Sequence, residues 1–235
     1  MMLSLLLIAL TFSGQAPQQD IPVEMMTYQL VLLKAGPNAA PASPAEQKKM
    51  QEEHLAGLAA LNKKRINVIY GPILADNPAG LRGVAILDVP SADAAKAHFA
   101  DDPFVKAGVM VAEVHPWMGP KGWFGAPPST DVARPENLQP LVFGILVRAA
   151  ATSQDKAESE GIQKGHLGYM DTLHKQGKLV MAGPLGGNGA MRGLVVYRVK
   201  DVAEARALAA EDPAVKAGRL SLDAYPWMTF KGILK

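Results

Sequence analysis

Two histidines and two aspartates recur at matching places along the chain. His54 stands in a His-Leu-Ala-Gly-Leu stretch and His166 in His-Leu-Gly-Tyr-Met, 112 positions later. Asp102 opens Asp-Pro-Phe-Val-Lys-Ala-Gly and Asp212 opens Asp-Pro-Ala-Val-Lys-Ala-Gly, 110 positions later. An imidazole backed by a carboxylate is a general base: the carboxylate orients the ring and stabilises its protonated form. Such a pair suits removal of a proton next to a carbonyl or a leaving group, which gives isomerisation or elimination. Each residue also has a plain structural reading. Asp before Pro, closed a few residues later by Gly, is a helix N-cap with proline at the first helical position and a C-terminal glycine. A histidine on an apolar helix stripe serves equally as a hydrogen-bonded core residue. Of the five histidines only this pair repeats: His98 aligns with Leu208, His115 with Tyr225 and His174 with Asn62.

Four further repeated charges are candidates for substrate binding. Arg82 and Arg192 begin equivalent strands and are placed to hold a substrate carboxylate; the alternative is a solvated strand-start charge. Glu113 and Asp223 lie on the last strand of each copy, acids that a cleft would expose to a substrate. No cysteine occurs, which excludes thiolate nucleophiles, disulfides, Cys-ligated metals and an acylated lipid anchor. One His and one Asp per copy are too few ligands for a closed zinc site. The glycine run at 186–189 lacks the Lys-Ser/Thr and the following helix of a phosphate loop. No metal and no cofactor is therefore expected. A net charge of +2 without a clustered basic face argues against nucleic acid as a partner.

These residues sit in a chain that is duplicated. The stretch from Asp101 to Met118 returns from Glu211 to Met228, with Lys106/Lys216, Gly108/Gly218 and Trp117/Trp227 in register; a fixed offset of this kind marks an internal repeat. Hydrophobic periodicity predicts, in the first copy, strands over 27–33, 67–70, 82–89 and 109–114 and helices over 45–65 and 91–99. The second copy predicts strands over 141–147, 179–182, 191–199 and 220–224 and helices over 155–176 and 202–210. The order β-α-β-β-α-β is that of a ferredoxin-like unit. Its strands are apolar on both faces, as Leu141, Phe143, Ile145 and Val147 alternate with Val142 and Leu146. A sheet of that kind needs a second layer on each side. Helices cover one face, and the sheet of the other copy is the layer at hand for the second. The expected fold is α+β: two ferredoxin-like βαββαβ repeats packed sheet to sheet as a fused, pseudo-dimeric α/β barrel, with the two Pro-Trp pairs closing its ends.

The expected division is a signal peptide at 1–16, a first domain at 26–122, a linker at 123–138 and a second domain at 139–235. The apolar run Leu3–Phe12 is too short to span a bilayer and is followed by Ser-Gly-Gln-Ala, so it reads as a signal core cleaved after Ala16, although no Lys or Arg precedes it. Export to the periplasm or the cell exterior is the expectation, with no membrane association after cleavage.

Taken together, His-Leu early in the first helix, Gly-Pro-Leu or Gly-Pro-Ile after it, Arg-Gly opening the third strand, Asp-Pro-x-Val-Lys-Ala-Gly and a terminal Pro-Trp resemble the YCII-related (YciI-like) domain, in order and twice. The resemblance implies a dimeric α/β barrel, made here within one chain, and suspected enzymes with a His–Asp dyad in a cleft. By motif those dyads are His54 with Asp102 and His166 with Asp212. The second copy departs at Ala214, where the family favours an aromatic residue. The leading expectation is a small-molecule lyase or isomerase using the dyad as general base. The alternatives are a non-catalytic ligand-binding module of the same fold and a scaffold protein.

Overall fold

The structure, a computed structural model, describes residues 24–41, 43–75, 77–126, 135–150 and 155–234. The expected signal segment at 1–16 and residues 127–134 of the expected linker lie outside the described residues. The first half contains β1 (Met25–Ala35), α1 (Pro44–Lys63), β2 (Asn67–Pro72), β3 (Leu81–Leu87), α2 (Ala92–Phe99), α3 (Pro103–Lys106) and β4 (Met110–Pro120). A short 3₁₀ turn at Pro135–Asn137 leads to β5 (Leu138–Arg148), α4 (Lys156–Lys175), β6 (Leu179–Pro184), β7 (Met191–Tyr197), α5 (Val202–Ala210), α6 (Pro213–Lys216) and β8 (Leu220–Phe230).

Local chemistry sets most element ends. Ser43 and Asp155 cap the two long helices by accepting from Glu46 N and Glu158 N, and in both an acid occupies the first turn, where the helix dipole favours it. At the other end Asn62 Nδ2 donates to Asn67 O at 2.7 Å, tying α1 to the start of β2. His174, its counterpart, makes the same tie from α4 to Leu179 O at 3.1 Å. That unrepeated histidine is thus a structural link between helix and strand.

The two four-stranded antiparallel sheets have the orders β2-β3-β1-β4 and β6-β7-β5-β8, the ferredoxin-like topology twice. Val142, Leu146, Val195 and Tyr197 form a core with Met170 and Leu173 of α4. The alternate residues Leu141, Phe143, Ile145, Leu194 and Val196 join one continuous cluster with the first half. The sheets therefore share a core, as two-sided apolar strands require.

The outer strands run further than the sequence pattern indicates. β4 and β8 continue through Pro116-Trp117 and Pro226-Trp227 and pair with β1 and β5 along their full lengths. Proline is tolerated because these are edge strands, on which an outward-pointing position needs no N–H for the ladder. The outward carbonyls are instead used by the other half: Gly186 N donates to Pro116 O at 2.7 Å and Leu74 N to Pro226 O at 3.0 Å. Bridges Trp117↔Leu185 and Ile73↔Trp227 complete the closure. Trp227 is fully buried and donates Nε1 to Gly71 O at 3.0 Å, while Thr229 Oγ1 donates to Tyr70 O at 2.9 Å.

Backbones approach so closely here that a Cβ on Gly71 would strike the Met228 carbonyl, and one on Gly183 the Met118 carbonyl. Gly71→Ala is accordingly expected to destabilise by about 1–3 kcal/mol or more. A urea midpoint unchanged from the parent protein would show that the seam yields.

Candidate active site

The face of α1 that meets the sheet buries His54, Leu58 and Asn62, spaced four apart. His54 projects from it toward the start of α3. Its Nδ1 lies 2.5 Å from Asp102 Oδ2. The other carboxylate oxygen of Asp102 accepts from Phe104 N at 3.0 Å and Val105 N at 3.3 Å, capping α3. One carboxylate thus bonds the His54 ring with one oxygen and caps α3 with the other. The second half repeats the arrangement: His166 Nδ1 lies 2.7 Å from Asp212 Oδ2, and Asp212 Oδ1 accepts from Ala214 N at 2.8 Å. All four side chains are nearly closed to solvent, 9% and 8% exposed in the first pair and 12% and 2% in the second. A carboxylate only accepts, so Nδ1 carries the hydrogen of the bond. That leaves Nε2, which has no hydrogen-bond partner among the described residues, as the atom available for chemistry.

Each histidine lines a cavity between its long helix and its sheet, of about 650 Å³ for His54 and about 790 Å³ for His166. The expected arginines lie there too, Arg82 in the first cavity and Arg192 in the second. Neither cavity belongs to one half alone. Leu138 and Phe230 of the second half wall the first cavity, and Met25 of the first half walls the second. The fused barrel therefore completes both sites.

Glu113 and Asp223 are a correction. They line neither cavity. Register explains why: they pair with Leu32 and Ile145, one residue out of step with Leu33 and Leu146 at the cavities, and so point from the opposite face of each sheet. Glu113 instead bonds Lys34 Nζ at 2.5 Å and His115 Nε2 at 2.6 Å. Burial pushes its carboxyl up, but the hydrogen bonds and charges of Lys34 and His115 outweigh that and hold it below the usual range.

One residue of the first cavity escapes the sequence reading. Tyr70 is buried, and its hydroxyl has no hydrogen-bond partner among the described residues. Burial pushes the phenol up to about 12, so it stays protonated and able to donate. The only sequence signal is a tyrosine before Gly71-Pro72 where the second copy has Ala182. Phe104 stands edge-on to the His54 ring, centroids 5.4 Å apart.

The sequence pattern of the YCII-related domain matches residues 26–118 and again 143–228. The chain belongs to the YCII-related family. Two solved structures are similar to it across most of the tandem. A heme-binding protein from Thermus thermophilus is similar at 14% identity over 89% of this chain and 93% of its own, with a TM-score of 0.53. A chlorite dismutase candidate, TA0507, is similar at 12% identity over 87% and 94%, also with a TM-score of 0.53. At such identities the likeness establishes the pseudo-dimeric barrel fold of this YCII-related tandem and nothing about its chemistry. No curated protein matches its sequence significantly.

Proposed function

We propose that this YCII-related protein is an acid–base enzyme, a lyase or isomerase, acting on a small organic molecule in the His54 cavity. The observation that carries the reading is the repeated pairing of a cavity-lining histidine with a buried aspartate that leaves Nε2 free. In this mechanism His54 Nε2 takes a proton from a carbon next to a carbonyl. Asp102 holds the Nδ1–H and stabilises the imidazolium that forms. The electron pair left on carbon moves to the carbonyl oxygen, and Tyr70 Oη, neutral at physiological pH, donates to that developing negative charge. Isomerisation follows when the imidazolium returns the proton to a neighbouring carbon. Elimination follows when a leaving group departs with the electron pair. Arg82 at the cavity wall is placed for a substrate carboxylate.

A second reading, ligand binding without turnover, draws on the helix-capping role of Asp102 and Asp212. The two separate experimentally. Small keto acids and hydroxylated aromatics that raise the melting temperature are tested in D₂O for loss of the C–H signal next to the carbonyl. Exchange in the parent protein and none in His54→Ala is the expected result. Ligands that bind with neither exchange nor turnover would leave only the binding reading.

Tyr70→Phe refines the test. It is expected to lower kcat by about 10²–10³, the effect of removing one oxyanion donor. Because the hydroxyl is buried without a partner among the described residues, its loss is expected to leave stability unchanged or slightly raised. A fall in melting temperature with kcat preserved would assign Tyr70 to packing.

A further inference from the structure

The two cavities carry the same His–Asp pair but have diverged around it. Four of the differences between equivalent wall positions change bulk or charge outright. Tyr70 and Phe104 of the first cavity become Ala182 and Ala214 in the second, while Ala35 and Val109 become Arg148 and Arg219. With Arg192, the second cavity thus has three arginines, and no Asp or Glu is among the described residues lining it. Asp212, the acid behind it, is committed to His166 and Ala214 N.

None of the three guanidinium groups has a carboxylate partner among the described residues. Among the described residues the Arg219 guanidinium donates only to Ser159 O, at 3.3 Å. Arg148 is exposed at the rim. Arg192 Nη2 is buried and makes no hydrogen bond in the described structure. A buried, unpaired guanidinium nitrogen is costly, and three like charges around one cavity repel. An anion seated among them removes both penalties, and the planar guanidinium fork matches carboxylate or phosphate oxygens.

We infer that the second cavity is an anion site, selective for a small organic molecule carrying at least two negative charges, whereas the first cavity takes a flat, aromatic or weakly charged one. The inference rests on the reading of both cavities as small-molecule sites and adds a substrate class to the second. Its alanines make the room: at about 790 Å³ against 650 Å³ it is the larger cavity. Two charged groups on one ligand are needed to engage the buried Nη2 of Arg192 and the rim Arg148 together.

Calorimetric titration of the whole chain with succinate, glutarate, phosphoglycolate and butyrate tests this at low and at physiological salt. At least one dianion should bind ten-fold or more tightly than butyrate, with the advantage shrinking as salt rises. Preference for succinate or glutarate identifies a dicarboxylate site; preference for phosphoglycolate identifies a phosphate site. Arg192→Gln should abolish the preference. Arg148→Gln, at an exposed position where folding is not at stake, should weaken dianion binding at least three-fold and butyrate less. The inference is overturned if no dianion outcompetes butyrate, or if the preference survives in both Arg192→Gln and Arg148→Gln. Proton exchange at His54 is read separately, so either failure leaves the general-base reading standing.

Discussion

Asp102→Asn is expected to cost far more activity than stability. Asparagine caps helices about as well as aspartate, and Asp102 Oδ1 meets the backbone N–H groups of Phe104 and Val105 as a cap. The change therefore leaves α3 in place. It removes the charge that stabilises the imidazolium and frees the ring from the tautomer that presents Nε2 as base. A drop in kcat of about 10²–10⁴, the usual value of positioned acid–base catalysis, should accompany a shift of no more than a few degrees in melting temperature. Equal losses in kcat and stability would mean that the pair only fastens α3 to α1. Asp212→Asn, run in parallel, reports which cavity turns over a given substrate, since the two pairs lie in separate cavities.

Trp227→Ala should be among the most damaging substitutions to the fold. The side chain is fully buried, packs on Phe143 with ring centroids 6.0 Å apart, and donates across the seam to Gly71 O. Truncating a buried tryptophan costs about 3–5 kcal/mol, a large share of the roughly 5–15 kcal/mol that a domain has in total. Because the residue bridges the halves, the loss should appear as separate unfolding of the two, visible as a split calorimetric transition. Trp227→Phe retains the ring but leaves the Gly71 carbonyl without its side-chain donor. Trp117→Phe should be milder, because Trp117 Nε1 has no hydrogen-bond partner in the described structure. A single transition at the parent temperature for Trp227→Ala would refute the picture of a barrel locked by these tryptophans.

Much of this was legible in the chain because duplication and local geometry leave local traces. The offset between the copies located the repeat unit. Asp-Pro followed by Gly announced the one-turn helices α3 and α6, and the four-residue spacing from His54 to Leu58 announced the buried face of α1. These signals depend on residues within a turn or two of one another. Apolar residues on both strand faces required a second sheet, and the barrel follows from that requirement.

Tertiary structure decided the rest. The strands expected over 109–114 and 220–224 stop short of Pro116 and Pro226, and proline cannot donate to a ladder. Only the edge position of β4 and β8, and donors from the opposite half, let those strands continue. Glu113 and Asp223 were assigned to the cleft from their place on the last strand, but pairing with Leu32 and Ile145 turns them to the opposite face; a shift of one residue reverses a side chain, and single-strand patterns do not record it. Tyr70, Arg148 and Arg219 carry no motif, and their counterparts in the other copy are unrelated in chemistry. What joins them to the sites is cavity shape, built by α1 or α4 over a sheet and closed by Leu138, Phe230 or Met25 from the other half. The repeat specifies the His–Asp pair twice because its geometry is set within one unit; the surroundings of each pair form only where the two units meet.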